Sequence, residues 1–238
     1  MPGEEWRAVT EENRRDLTES GIWDVPAFTI GATALWGRIV ADFSRRILAM
    51  SEGSNNSDKL MTNKNNTMPL VLFSHGQESG PWGTKITRMA QAVQAIGCEA
   101  DSIDYQGIAD PTARVRKLLE IGGRLPQRLI LVGSSMGGHV ATAAAVELNA
   151  LGLFVLAPAY FMPGFEALTP APPALPITIV HGWRDDVVPV ANSIRYAQDA
   201  RATLHVLDGD HRLTENIHEI NLYLVQFIKR LTALPGEK

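Results

Sequence analysis

Ser135 is the residue around which chemistry can be built. It stands in Gly133-Ser134-Ser135-Met136-Gly137, after the apolar run Leu129-Ile130-Leu131-Val132 and before the helix-forming stretch Gly138 to Val146. Strand, sharp turn and helix in that order hold a serine in a strained conformation above the edge of a sheet. Gly133 and Gly137 suit such a turn, because strand and helix approach too closely there for a Cβ. The helix then begins with unpaired amides and its positive dipole end beside the serine, where negative charge develops during attack on a carbonyl. Ser134 lacks the paired glycine spacing and reads as a turn residue.

A nucleophilic serine needs a base, a group that orients the base, and donors for the oxyanion. His211, in Asp208-Gly209-Asp210-His211-Arg212, is the candidate base. The candidate acid lies in His181-Gly182-Trp183-Arg184-Asp185-Asp186-Val187-Val188-Pro189. Asp185 is preferred, and the adjacent Asp186 stays open beside it. The chain order serine, acid, histidine suits a nucleophile on a strand-to-helix turn. His75-Gly76-Gln77 follows the apolar run Leu70 to Phe73. Its Gln77 N–H is the expected second oxyanion donor, beside the N–H of Met136, with His75 bracing the loop. His139, His205 and His218 read as core or surface residues, and His181 as structural. No His/Asp/Glu spacing suggests a metal, and no cofactor is expected.

These residues need a scaffold that delivers them to one place. From Pro69 the chain alternates strand and helix. Strands are expected at 70–73, 99–103, 128–133, 152–156, 176–180 and 202–207, with helices at 84–96, from Asp110-Pro111 to 122, 138–146, 189–200 and 213–231. Asp110 is placed to cap its helix, with Pro111 at the first helical position. Nearly all-apolar strands alternating with helices imply an α/β fold, a mostly parallel sheet covered on both faces. In such sheets ligands lie beyond the carboxyl ends of the strands. Gln77, Ser135, Asp185 and His211 all fall just after strands.

Bulk properties narrow the partners. The chain has 238 residues, 45% hydrophobic and 20% charged, enough for one α/β domain with a sizeable core. A net charge of −4 without a long basic run argues against nucleic acid as the partner. No apolar stretch is long enough to span a bilayer, so stable membrane insertion is not expected. The single cysteine, Cys98, excludes an intramolecular disulfide and reads as a small buried hydrophobe.

Residues 1–67 differ from the rest and read as an amino-terminal extension to a domain at 68–238. The first twenty are polar, rich in Glu and Arg, and carry neither a secretory signal nor the acid-poor composition of a transit peptide. A cytoplasmic protein is therefore expected. Residues 30–50 are amphipathic at helical spacing, with Leu35, Ile39, Val40, Phe43, Ile47 and Leu48 on one face. The Ser/Asn/Lys-rich stretch 51–67 is expected to be a disordered linker. Because the domain needs nothing before Met68, Met61 or a neighbour is a candidate natural start.

The motifs Ser74-His75-Gly76, Gly133-Ser134-Ser135-Met136-Gly137-Gly138, His181 to Pro189 and Gly209-Asp210-His211-Arg212 resemble those of the α/β-hydrolase superfamily. The likeness covers about residues 69–232. It is nearest to small members: bacterial esterases of the YqiA type and the mitochondrial depalmitoylase or acyl-glucuronide esterase type. The resemblance implies a three-layer α/β fold with a Ser135–His211–Asp185 triad that cleaves a small-molecule carboxylic ester or thioester. An acyltransferase or amide hydrolase on the same residues, and a ligand-binding module without turnover, are the alternatives. The sequence departs from the superfamily pattern in two ways. The antiparallel strands that often open the fold are not evident before Pro69. Ala157 to Leu175 is too short for a cap domain. The pocket wall is then expected from short loops, with Trp82, Tyr160, Phe161, Met162 and Trp183 as candidate lining residues. Such an open site suits short or medium acyl groups.

Overall fold

The computed structural model describes residues 68–233. The amphipathic helix expected at 30–50, the linker at 51–67 and the candidate start at Met61 lie outside the described residues.

The strands are β1 (Leu70–Ser74), β2 (Glu99–Ile103), β3 (Leu129–Ser134), β4 (Gly152–Leu156), β5 (Ile177–Gly182) and β6 (Thr203–Leu207). The helices are α1 (Thr84–Gln94), α2 (Pro111–Gly122), α3 (Met136–Ala144), α4 (Val190–Ala200) and α5 (Ile217–Thr232). The strands form one sheet in the order β2-β1-β3-β4-β5-β6. Every neighbouring pair is parallel. The central strands β1, β3, β4 and β5 are buried almost throughout, whereas the edge strand β2 alternates between exposed and covered positions.

Burial on both faces follows from the two-residue period of a strand. Val71, Phe73, Ile130, Val132, Phe154, Leu156 and Val180 point to one side, where Met89 and Val93 of α1 and Ile220, Leu224 and Phe227 of α5 cover them. The intervening residues Leu72, Leu131, Leu153, Val155 and Ile179 are equally buried on the other side. There α3 packs against β1, β3 and β4, with α2 against α3. Cys98 is buried in the first of these layers.

The Asp110 side chain accepts from the amides of Thr112 and Ala113 at 3.1 Å each, capping α2 as Pro111 opens it. The last helix starts later than its apolar spacing suggests, at Ile217 rather than Leu213. Leu213 takes a φ of +53° and is fully buried, and its amide is held by Asp210 Oδ1 at 2.9 Å. That turn follows His211 directly and replaces the first helical turn. Between β4 and β5 the only regular structure is one 3-10 turn at Glu166–Leu168, so no cap domain is built there.

Candidate active site

Ser135 sits between β3 and α3 with φ 54° and ψ −121°, outside the regions comfortable for an L-residue. The strain is held from several sides. Ser135 N donates to Leu156 O at 2.9 Å, and Ser135 O accepts from the amides of Gly138 and Ala159 at 2.9 and 3.1 Å. The glycines beside it are required by contact. A Cβ on Gly133 would strike Gly137 O and stand 2.6 Å from Gly138 Cα, and one on Gly137 would strike Ser74 O. Strand β1, strand β3 and helix α3 therefore meet backbone to backbone at the serine. Met136 is the first residue of α3, so its N–H has no partner within the helix.

Asp185 and His211 come from the loops after β5 and β6. These loops touch through glycine: a Cβ on Gly182 would strike Gly209 O and stand 2.8 Å from Asp210 O. Arg184 N donates to Gly209 O at 2.9 Å, and Arg184 Nε lies 2.7 Å from Asp208 Oδ1. In this frame His211 Nδ1 lies 2.8 Å from Asp185 Oδ2. An ionised carboxylate only accepts, so Nδ1 carries the hydrogen and Nε2 keeps a free lone pair. The Asp185 side chain is 0% exposed and that of His211 19%. Burial opposes ionisation of Asp185. Hydrogen bonds from His181, His211 and the Val188 amide outweigh it and hold the carboxyl well below the usual range. Asp186, its neighbour, is exposed. Among the described residues no hydrogen bond joins Ser135 Oγ to His211, a contact that often tightens only when substrate binds.

The loop after β1 completes the constellation. His75 is fully buried and reaches in two directions. Its Nε2 accepts from Tyr105 N at 2.8 Å, so Nδ1 carries the hydrogen and donates to Gly76 O at 2.6 Å. Burial lowers its pKa, which keeps the ring neutral for this double role. The Gln77 side-chain oxygen is buried without a hydrogen-bond partner.

Two cations here escape the sequence reading. Lys85, at the start of α1, donates from Nζ to Ser134 Oγ and to Arg212 O, both at 2.9 Å. It bridges the residue before the candidate nucleophile and the residue after the candidate base. Burial pushes its pKa down to about 8, against the pull of Asp210 and Asp185. Arg114, on α2, is buried and donates to the carbonyls of Ile108 and Gly76 at 2.6 and 3.2 Å. Each leaves a faint mark in the sequence: Lys85-Met89-Val93 and Arg114-Leu118-Gly122 run at helical spacing, so each cation interrupts a buried stripe.

Residues 71–223 match the alpha/beta hydrolase family. The chain belongs to that family. Among solved structures, this hydrolase is similar to a member of the alpha/beta superfamily from Xanthomonas campestris pv. campestris, at 28% identity and a TM-score of 0.63 over 68% of this chain and 99% of that one. Mouse alpha/beta hydrolase domain-containing protein 10 shares 19% identity and a TM-score of 0.62, over 69% of this chain and 91% of that one. Est1E from Butyrivibrio proteoclasticus shares 18% identity and a TM-score of 0.63, over 72% and 92%. No curated protein matches the chain.

In this alpha/beta hydrolase the expected pocket residues divide. Trp82 and Trp183 are 49% and 59% exposed on loops at the carboxyl ends of β1 and β5. Phe161 and Met162 are half-buried in the loop after β4, with the Arg195 guanidinium 3.9 Å over the Phe161 ring. Tyr160 does not fit the expected role. It is fully buried, stacked on Tyr196 with 4.0 Å between ring centres, and its hydroxyl meets Thr142 Oγ1 on α3. A phenol in a covered position needs a polar partner, and Thr142 supplies one, so Tyr160 supports α3 from behind, the helix that leaves the sharp strand-to-helix turn, or elbow, at Ser135. An open depression of about 470 Å³ near Leu70, Cys98 and Gln127 lies at the opposite, amino end of the sheet. Among the described residues no helix is long and apolar enough to cross a membrane, and no His/Cys/Asp/Glu group is arranged to hold a metal ion.

Proposed function

We propose that this alpha/beta hydrolase is a serine esterase or thioesterase, working through Ser135, His211 and Asp185 and a covalent acyl-enzyme. One observation carries the reading: His211 is hydrogen-bonded to the buried Asp185 carboxylate, on loops that flank a strained Ser135. In the mechanism His211 Nε2 takes the Ser135 proton as Oγ attacks the carbonyl carbon. Asp185 keeps the imidazole in the needed tautomer and stabilises its cation. The amides of Gln77 and Met136 receive the oxyanion. His211 then protonates the leaving alcohol or thiol. Water, deprotonated by the same ring, releases the acid and restores Ser135.

The short loop between β4 and β5 supports an open site for a short or medium acyl group. Exposed Trp82 and Trp183 offer apolar surface at its rim. The test is labelling with a fluorophosphonate probe, wild type beside Ser135→Ala. Labelling of wild type alone supports an activated serine, and absence of labelling on folded wild type rejects it. A p-nitrophenyl ester series then reads the acyl preference, and a best kcat/KM at long chains counts against the open-site reading.

A further inference from the structure

The Gly76 carbonyl is held from the interior by two donors, His75 Nδ1 at 2.6 Å and Arg114 Nη1 at 3.2 Å. In a trans peptide the C=O and the next N–H point in opposite directions, and none of the described peptide bonds is cis. Whatever anchors the Gly76 carbonyl therefore aims the Gln77 N–H away from Arg114. Gly76 lies against the nucleophile, since a Cβ on it would stand 3.6 Å from Ser135 Cβ. The Gln77 amide donates to no backbone acceptor among the described residues, so its N–H is left over.

Arg114 is a costly way to brace a helix. It is 2% exposed, and no carboxylate pairs with it among the described residues. A buried charge without a counter-ion is retained against a desolvation penalty. Its donors go to backbone carbonyls: Ile108 O at 2.6 Å, His75 O at 3.4 Å and Gly76 O at 3.2 Å. Its guanidinium stands 5.3 Å over the ring of Tyr105, whose own amide donates to His75. The contacts converge on one peptide and its supports.

We infer that Arg114 is a positioning residue that clamps the Gly76 carbonyl and so presents the Gln77 N–H to the oxyanion formed at Ser135. This rests on the ester-cleaving reading above. Without the guanidinium only His75 Nδ1 holds the carbonyl, and Gly76 has no Cβ to resist rotation of the peptide about that one bond. The donor must then be reoriented as charge develops, and that penalty falls on the transition state rather than on substrate binding.

The experiment compares full-length wild type, Arg114→Met and Arg114→Lys on p-nitrophenyl butyrate. Each is also titrated with an alkyl trifluoromethyl ketone, which adds to the serine and places an oxyanion, and with the matching methyl ketone. Arg114→Met keeps an apolar stem, and its kcat should fall about 10²-fold with KM within threefold, the loss expected when one oxyanion donor is compromised. Trifluoromethyl ketone affinity should fall in parallel while methyl ketone affinity holds. Arg114→Lys keeps one cationic donor and should recover part of both. A merely structural role would weaken both ketones together, and that result overturns the inference, as does unchanged kcat in folded variants. Should Arg114→Met fail to fold, Arg114→Lys alone decides: a fall of about tenfold in kcat with selective loss of the trifluoromethyl ketone supports the clamp, and wild-type values overturn it. If wild type neither turns over the ester nor takes up fluorophosphonate, the ester-cleaving reading itself fails and this inference falls with it.

Discussion

His181 Nε2 stands 3.0 Å from Asp185 Oδ2, the same oxygen that His211 approaches to 2.8 Å. His181 is fully buried, and its Nδ1 lies 2.7 Å from Ser193 Oγ. With the serine hydroxyl donating to Nδ1, the ring hydrogen sits on Nε2, between Asp185 and Val188 O at 2.9 Å. The other oxygen, Asp185 Oδ1, accepts from the amides of Val187 and Val188 at 2.9 and 2.8 Å. The carboxylate is therefore locked in orientation by donors on both oxygens before it meets His211.

That arrangement separates two neighbouring aspartates. Asp185→Asn puts an NH₂ among donors and pushes His211 toward the wrong tautomer, so kcat should fall by about 10³ to 10⁴. Asp186→Asn alters an exposed side chain and should leave kcat within about twofold. Steady-state ester hydrolysis by both variants checks the assignment, and equal losses would contradict it.

Lys85 ties the elbow to the loop carrying His211 through Ser134 Oγ and Arg212 O. Lys85→Met removes both donors but keeps the stem. We expect kcat to fall about tenfold with KM little changed, since the bridge would secure the proximity and orientation of the proposed base, His211. A raised KM with unchanged kcat would assign Lys85 to substrate binding instead.

His139, on α3, gives stability a pH dependence. Burial pushes its pKa down to about 4, against a hydrogen bond to the Ala159 backbone. In the unfolded chain it titrates near 6.5. Between these values the unfolded chain holds a proton that the folded chain refuses. Its contribution is fully present above about pH 6.5 and is lost as pH falls toward 4, by up to about 1.4 kcal/mol per unit. Urea unfolding at pH 7.0 and 5.0 should show this loss in wild type and a shallower one in His139→Gln. Equal slopes would show that His139 is not its source.

The elbow tolerates no side chain at Gly137. Because the added Cβ would meet the backbone of β1, the clash cannot be relieved by a rotamer. Gly137→Ala should lose about 3–5 kcal/mol or fail to fold, the upper end of single-residue effects. Thermal unfolding measures it, and a shift of only a degree or two would mean that the elbow can open without cost.

Much of the scaffold is local in origin and so was legible. The strand at Gly152–Leu156 matches its apolar run residue for residue, and Asp110-Pro111 marks the start of α2. The misplaced start of the last helix has a tertiary cause. Leu213, with a helix-like apolar spacing, gives up the helix to fill the core beneath the His211 loop, at a positive φ. Tyr160 misled for a similar reason: an aromatic in a loop after a strand reads as a pocket wall, but packing against Tyr196 and Thr142 turned it inward.

By itself the sequence determined the alternation of strand and helix, the parallel sheet, and the glycine spacing that lets β3 turn sharply into α3 at Ser135. These depend on hydrophobic period and backbone sterics over a few residues, which the order of the residues encodes directly. Only the tertiary structure decided which aspartate meets His211, and that Lys85 and Arg114 spend their charges on the loops around Ser135. Those contacts join residues far apart in the chain, such as Lys85 and Arg212 or Arg114 and Gly76. A directional hydrogen bond between distant segments leaves almost no trace in local pattern, beyond a cation standing where an apolar residue was due.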